Sequence, residues 1–441
     1  MSSYGYSIEP VPKDKRRYGF TENFTIWFGA GISIAEFWAG ALLVAEPISL
    51  GLKLSLLAII LGHAIGNLLL SIIGLAGVYS GLPTMVLARK PLGLKGSYLP
   101  SILNYLQLIG WTAVMLVVGA LAMDSVSTTL WGLSLYHIWI LFLGIIVTLW
   151  TLVGPEKWRL LEKAAAALLL ILCIWLTYVV LTRIDLGSLW GMKENWAGFW
   201  VALDLVIAMP VSWAPLIADY TRFSKKPSHG FWGSYIGYFI SSSLFYFLGA
   251  LSNLTLKSLD PISIIVVYGL GVPAMLIIIF STVTTTFLDV YSAAITYKNV
   301  FPRADARKQI VFVGALGTVL ALVFPIEEYE WFLLLIGGAF VSLTAILVMD
   351  YLLDKEVYKQ PEKILGPGRT IDYLAIAIWA IGFIFYMLLA AASLIPGAYI
   401  PVFTEIGSIL GSSIPTLILV ALLYILVKYP VSYTHLTLPT N

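Results

Sequence analysis

The chain has 441 residues, of which 59% are hydrophobic and 11% charged, with a formal net charge of +2. Soluble domains carry roughly a quarter charged residues, so this composition excludes one and points to a polytopic membrane protein. The basic residues are scattered through short loops, so the net charge is no sign of a nucleic-acid partner, and the single cysteine, Cys173, excludes an intrachain disulfide or a thiolate metal site.

The polar, basic opening MSSYGYSIEPVPKDKRRYGF carries no secretory signal pattern. Apolar runs of about 20 residues, the length needed to cross a bilayer, predict twelve spans. They fall at 24–45, 54–79, 99–123, 133–153, 162–182, 199–219, 231–251, 270–296, 309–325, 331–352, 371–393 and 412–428. If the amino terminus is cytoplasmic, 22 of the 26 basic residues fall in inner segments, and only Lys53, Arg183, Lys193 and Lys257 face out. Basic residues are retained on the cytoplasmic side, so the asymmetry predicts an even number of spans with both termini inside, as in a bacterial inner membrane.

The first span, FGAGISIAEFWAG, sets Gly29, Gly31 and Gly40 around a carboxylate, Glu36. Three glycines favour close packing or local unwinding. In the second span His63 and Asn67 share a helix face, and a mutual or backbone hydrogen bond is the expected role, ahead of a proton relay. The third places Gln107 and Trp111 four apart, an amide and a large ring directed to one cavity. The plainer reading is a core tryptophan and a glutamine bonded to a neighbouring helix. Spans four and five read as featureless scaffold.

The sixth span contains ALDLVIAMPVSWAPLIADYTRF, of bilayer length yet interrupted by Pro210 and Pro215. Proline removes a backbone donor and crowds the preceding turn. Freed backbone groups at membrane depth need protein or a wet cavity, so a discontinuous helix is predicted, presenting Ser212 and Trp213 to a small planar substrate. A proline kink without a ligand is the plainer alternative. Two irregular spans five apart fit two inverted five-helix repeats.

The eighth span places Ser281, Thr284, Thr285 and Thr286 above Asp289. Hydroxyls and carbonyls suit a small alkali cation, although such hydroxyls more often bond back to their own helix. A carboxylate at membrane depth costs about 2.5 to 3.5 kcal/mol on the mildest scales, so Asp289 is expected to face a cavity or a partner. Asp204, nearer an interface, ranks below Asp289 and Glu36. Spans eleven and twelve read as peripheral, and residues 431–441, VSYTHLTLPTN, as a non-native tail.

Four stretches carry a family resemblance: GNLLLSIIGLAGVYSGLPTMVLARKPLGLKGSYLPS, QLIGW, ADYTRF and TTTFLDVYSA, in order and with matching spacing. From Phe24 to about Pro302 the chain resembles the nucleobase:cation symporter-1 family. The resemblance implies an all-α protein of twelve transmembrane helices, a LeuT-like five-plus-five inverted repeat with two additional helices. An amino-terminal segment (1–23) would precede a transporter domain at 24–428, with repeats at about 24–182 and 199–352 and the extra helices at about 371–428. The site would lie between spans one, three, six and eight.

Carried over by the resemblance, Trp111 is the stacking ring, Gln107 a nearby amide, and Trp213 follows Ser212 where cytosine permeases have a smaller aromatic after a serine. Thr284 and Thr285 match cation-ligand threonines, and Ser281 with first-span carbonyls around Gly31 would complete that shell. Asp289 departs from a usual asparagine, and Glu36 from a small or neutral residue. Both departures favour a donor-rich guest.

MPVSWAPLIADYTR with TTTFLDVYSAA looks most like the hydroxymethylpyrimidine permease branch, which supplies a thiamine precursor. The expectation is therefore cation-coupled import of hydroxymethylpyrimidine or a close aminopyrimidine by alternating access, with cytosine or a purine as runner-up. Sodium is expected ahead of a proton, no further cofactor is implied, and a monomer in the bilayer suffices. An uncoupled channel would need no stacking pair, and an enzyme would need a cluster that four scattered histidines do not form. An amino-acid carrier would bring a carboxylate against Glu36 and Asp289.

Overall fold

The computed structural model describes residues 5, 7–257, 271–323, 329–390 and 400–428. Among them there is no β-strand, only an isolated bridge between Tyr18 and Ser224. The proposed tail at 431–441 lies outside the described residues.

Helices follow the apolar runs. In chain order they are α1 (Phe20–Ala30), α2 (Ile34–Leu42), α3 (Leu52–Ser80), the short α4 (Thr84–Leu87) and α5 (Arg89–Leu92), α6 (Tyr98–Trp131), α7 (Tyr136–Val153), α8 (Pro155–Leu181) and the short α9 (Leu186–Trp190). The second half has α10 (Phe199–Ser212), α11 (Ile217–Thr221), α12 (Pro227–Leu256), α13 (Gly271–Val300), α14 (Ala306–Val323), α15 (Tyr329–Leu353), the short α16 (Lys355–Tyr358) and α17 (Pro361–Leu365), α18 (Tyr373–Leu389), α19 (Pro401–Leu410) and α20 (Ser413–Lys428). Eight of these contain a stretch long and apolar enough to cross a bilayer: α3, α6, α7, α8, α12, α13, α14 and residues 335–353 of α15. Four further segments, α1 with α2, α10 with α11, α18 and α20, coincide with the remaining expected spans, and α19 precedes the last at a bend of 107°.

The first span is broken as its glycines suggest: α1 and α2 meet at 61°. Ser33 restarts the helix, its hydroxyl accepting the Glu36 amide at 3.2 Å, the usual way an orphan first-turn donor is satisfied. In the sixth span α10 runs through Pro210 to Ser212, so the break lies later than the first proline. Pro210 sits in the last turn of α10, and the irregular stretch is 213–216, around Pro215. There the chain turns on tight bonds, Trp213 N–H to Pro210 O at 3.2 Å and Leu216 N–H to Trp213 O at 3.1 Å.

The packing repeats itself with an offset of five spans. The first span packs on the seventh (α1 and α2 on α12), and the sixth packs on the second (α10 and α11 on α3). The third packs on the ninth (α6 on α14) and the eighth on the fourth (α13 on α7); the first meets the fifth (α1 on α8) and the sixth meets the tenth (α10 on α15). That exchange of partners is what a two-fold axis in the membrane plane produces. The last two spans, α18 and α20, pack on each other and on α15, beside the repeats. Close approach needs glycine at the first-to-seventh contact. A Cβ on Gly40 would strike the Tyr246 backbone, and one on Gly249 the Phe37 carbonyl.

Segments rich in basic residues gather on one face. Tyr18 N–H donates to Phe223 O at 2.9 Å, Lys225 N–H to Tyr18 O at 2.8 Å, Lys95 N–H to Thr370 O at 2.8 Å, and Lys90 pairs with Asp350 at 2.8 Å. The stretch before α1 is docked into this face rather than extending from it. Arg16 is buried, with Nε donating to Val11 O at 3.0 Å and its guanidinium also on Val78 O. On the opposite face Asp204 accepts the amides of Ser412, Ser413 and Ile414 at 3.1, 3.1 and 2.6 Å. It caps the start of α20, a structural use of the charge.

Candidate functional site

The two breaks and the faces of α6 and α13 enclose one narrow cavity. It is lined by Ser33, Ala35, Glu36, Gln107, Leu108, Trp111, Met115, Met209, Ser212, Trp213, Leu216, Thr285 and Asp289. All six residues expected to bind substrate, Trp111, Trp213, Gln107, Asp289, Ser212 and Glu36, thus reach the same space. A second, mostly apolar cavity shares Ala35, Trp111, Met209 and Ser212 with it and lies on the side away from the basic face, between α2, α10 and α15.

Hydrogen bonding decides what each polar group can still offer. Gln107 Nε2 donates to Asn104 Oδ1 at 2.7 Å, and Asn104 Nδ2 donates to Thr296 Oγ1 at 2.8 Å. Gln107 Oε1 has no partner, so the side chain presents an acceptor. Thr285 Oγ1 is likewise buried and unpaired, and no hydrogen bond reaches the Asp289 carboxylate among the described residues. Ser212 spends its proton on Met209 O at 2.6 Å. Trp213 is fixed by its Nε1–H bond to Tyr238 Oη at 2.8 Å and by an edge-on contact with Trp27, centroids 6.0 Å apart at 89°.

Glu36 borders the cavity, yet both its oxygens are taken by α12. Oε1 accepts from the Tyr238 hydroxyl, and Oε2 is 2.8 Å from Ser242 Oγ. Ser242 in turn is 2.5 Å from His63 Nε2, whose Nδ1 lies 2.9 Å from Ile59 O. A carbonyl only accepts, so Nδ1 carries a hydrogen. Ser242 then has one proton to offer to both Glu36 Oε2 and His63 Nε2. The three are fully paired only when they hold one proton beyond an ionised carboxylate and a neutral imidazole, either on Glu36 or on His63. The backbone bond foreseen for His63 is present, but its second partner is Ser242, and Asn67 has none among the described residues. Residue types alone did not point to Tyr238 or Ser242. The Ser33-x-x-Glu36 spacing, a helix-start signal, marks the restart beside them.

The four residues expected to hold a cation do not share one spot. Thr284 Oγ1 donates to Phe280 O at 2.8 Å and Ser281 Oγ to Ile278 O at 3.2 Å, so each keeps only lone pairs for a ligand. Thr285 faces the substrate cavity. Gly31 packs against Ser241 and Ser242 of α12, whereas Gly29 is the first-span glycine beside Thr284. Span five is not featureless: Glu162 of α8 is fully buried. Its Oε1 accepts from Trp150 Nε1 at 2.9 Å while Oε2 has no partner.

Residues 10–417 match the family described as permease for cytosine/purines, uracil, thiamine, allantoin. The cytosine permease of Escherichia coli K12 is 26% identical over 422 residues, covering 94% of each chain. The hydantoin permease of Microbacterium maritypicum is 26% identical over 406 residues, covering 85% of this chain and 82% of that one. Among solved structures, a nucleobase-cation-symport-1 family transporter, closed with bromovinylhydantoin bound, superposes with a TM-score of 0.78 at 22% identity, over 97% of this chain and 96% of the other. A Na+-coupled sialic acid symporter shares the fold at 0.67 and 12% identity, over 94% and 91%. The chain therefore belongs to the nucleobase:cation symporter-1 family, as a multi-pass membrane transporter and not an enzyme.

Proposed function

We propose that this transporter imports a pyrimidine bearing an exocyclic amine, with hydroxymethylpyrimidine as the first candidate and cytosine as the runner-up, by cation-coupled alternating access. The observation that carries the reading is the cavity's polar inventory. Beside two tryptophans stand the unpaired Gln107 Oε1, the Asp289 carboxylate and an unpaired Thr285 hydroxyl, which can donate or accept. An amine edge supplies donors to Gln107 Oε1 and the Asp289 carboxylate. A keto edge sets an acceptor against those two and leaves them unpaired, at about 1–3 kcal/mol each.

The name of the Escherichia coli relative favours cytosine. The amine chemistry is common to both candidates. In this reading the ring lies against Trp111 and Trp213, sodium is the coupling ion, and the monomer works in the cytoplasmic membrane with its basic face and both termini inside.

The test is a thermal-shift and uptake titration of the purified full chain with hydroxymethylpyrimidine, cytosine, uracil, adenine and a hydantoin, with and without sodium. The amine-bearing pyrimidines should bind at least about tenfold more tightly than uracil, the equivalent of one lost hydrogen bond near 1.4 kcal/mol. Equal affinity for uracil would overturn the reading.

A further inference from the structure

The buried carboxylate on α8 has a free oxygen aimed at the break in the first span. A Cβ built on Gly29 would lie 3.5 Å from Glu162 Oε2 and 3.2 Å from Thr284 Oγ1. Three elements, α1, α8 and α13, thus converge on a spot beside the last turn of α1. That turn ends at Ala30: the Trp27 and Gly29 carbonyls accept the amides of Gly31 and Ile32 at 3.2 Å each, those of Phe28 and Ala30 have no backbone donor among the described residues, and the dipole favours a positive charge there. Thr284 has spent its proton on Phe280 O and can offer only lone pairs.

No lysine, arginine or histidine pairs with Glu162 among the described residues. Its sequence neighbour Lys163 is engaged 2.6 Å from Glu22. A carboxylate at this depth with one oxygen unanswered is costly unless something neutralises it.

We propose that Glu162 is an anionic ligand of the coupling cation, at a site formed by its Oε2, the Thr284 oxygen and backbone carbonyls at the end of α1. Oxygen donors of this kind suit a hard alkali cation. One carboxylate balances one positive charge, which selects a monovalent ion. The site sits beside the α1 break that also shapes the substrate cavity, so filling it orders both. The inference rests on the cation coupling proposed above and adds a residue from span five that the first and eighth spans alone would not supply.

The experiment is a sodium titration of the melting temperature of the substrate-free, purified full chain at constant ionic strength, with choline replacing sodium. Intrinsic tryptophan fluorescence is read in parallel, because Trp150 bonds the same carboxylate. Wild type should be stabilised by sodium and not by choline. In Glu162→Gln the sodium concentration for half the shift should rise by at least about tenfold, as for loss of a charge-assisted contact. Thr284→Val should move it in the same direction and serves if the first variant does not purify.

An unchanged sodium midpoint in Glu162→Gln, or in Thr284→Val when that variant stands in, would overturn the proposal. So would a wild-type shift that follows pH and not sodium, since the carboxylate would then hold a proton. The pyrimidine panel is scored separately, so failure of the amine reading leaves this titration interpretable.

Discussion

Trp111 and Trp213 reach one cavity from different spans, and they are held differently. Trp213 is anchored through Nε1 to Tyr238 and edge-on to Trp27, so replacing it disturbs the break as well as the ring surface. Each alanine substitution should weaken pyrimidine binding by about 1–3 kcal/mol, the value of a base on an aromatic platform. Trp213→Phe should retain much of that while losing the bond to Tyr238. Calorimetric titration of the variants checks this, and unchanged affinity in both alanine variants would remove the stacking pair.

The two carboxylates of the cavity separate in the same way. Asp289 has no hydrogen bond among the described residues, whereas Glu36 has both oxygens bound to α12. Asp289→Asn should therefore narrow the preference for amine over keto pyrimidines, by about tenfold for one exchanged hydrogen bond. Glu36→Gln should leave that ratio alone and instead lower the melting temperature. A competition assay with cytosine and uracil distinguishes the two roles. A changed ratio in Glu36→Gln would show that this carboxyl reads the substrate after all.

At the scale of elements, the places where helices stop are more informative than the helices. The apolar runs made the spans legible, because a bilayer demands a continuous stretch of fixed length. Three glycines and two prolines likewise marked which spans break. What they could not locate was the exact residue: Pro210 forgoes its own bond to the carbonyl four residues back, yet the chain stays helical to Ser212 and breaks only around Pro215. Partner identity was equally hidden. Helical spacing shows that His63 and Asn67 share a face, but His63 bonds Ser242, 179 positions away. Glu162 carries no signal within a span that reads as scaffold, because nothing local tells of Gly29 and Thr284.

The caps can be tested at this scale. Ser33→Ala removes the acceptor for the Glu36 amide and should cost about 1 kcal/mol of stability. Asp204→Ala strips three amides at the start of α20 of their acceptor and should lower the melting temperature further, with Asp204→Asn in between. Thermal unfolding in detergent measures both, and an Asp204→Ala melt equal to wild type would mean those amides are satisfied without it.

Taken as a whole, the molecule is packed shut on the basic face, and its larger cavity lies toward the other. The apolar cavity between α2, α10 and α15 lies away from that face. Toward the basic side the path is filled by Trp27, Trp158, Tyr220, Phe287 and Tyr291, all fully buried. A strap of the amino-terminal segment lies over them. Arg222 donates to Ser7 O at 2.7 Å and to Tyr291 Oη at 2.8 Å, while Tyr291 Oη donates to Gly5 O at 2.6 Å and Tyr18 Oη to Pro155 O at 2.9 Å.

The alternating access proposed above requires this seal to break when the opposite cavity shuts, so in that reading the bonds count toward the balance between two states and not only toward stability. Removing Arg222 leaves Ser7 O on the strap and Tyr291 Oη on α13 without their donor and should shift the population toward a form open on the basic face. Cys173 is the sole native cysteine, which makes a Cys173→Ala background practical for labelling. In that background a cysteine placed at Ala218, buried on α11, should be protected from a thiol reagent applied to the basic face. With Arg222→Ala added it should label faster, while a cysteine at Leu205, lining the opposite cavity, should label more slowly. Opposite changes at the two positions are the signature of one equilibrium moving. Faster labelling at both would mean that the substitution merely loosens the fold, and the strap would lose its role as a gate.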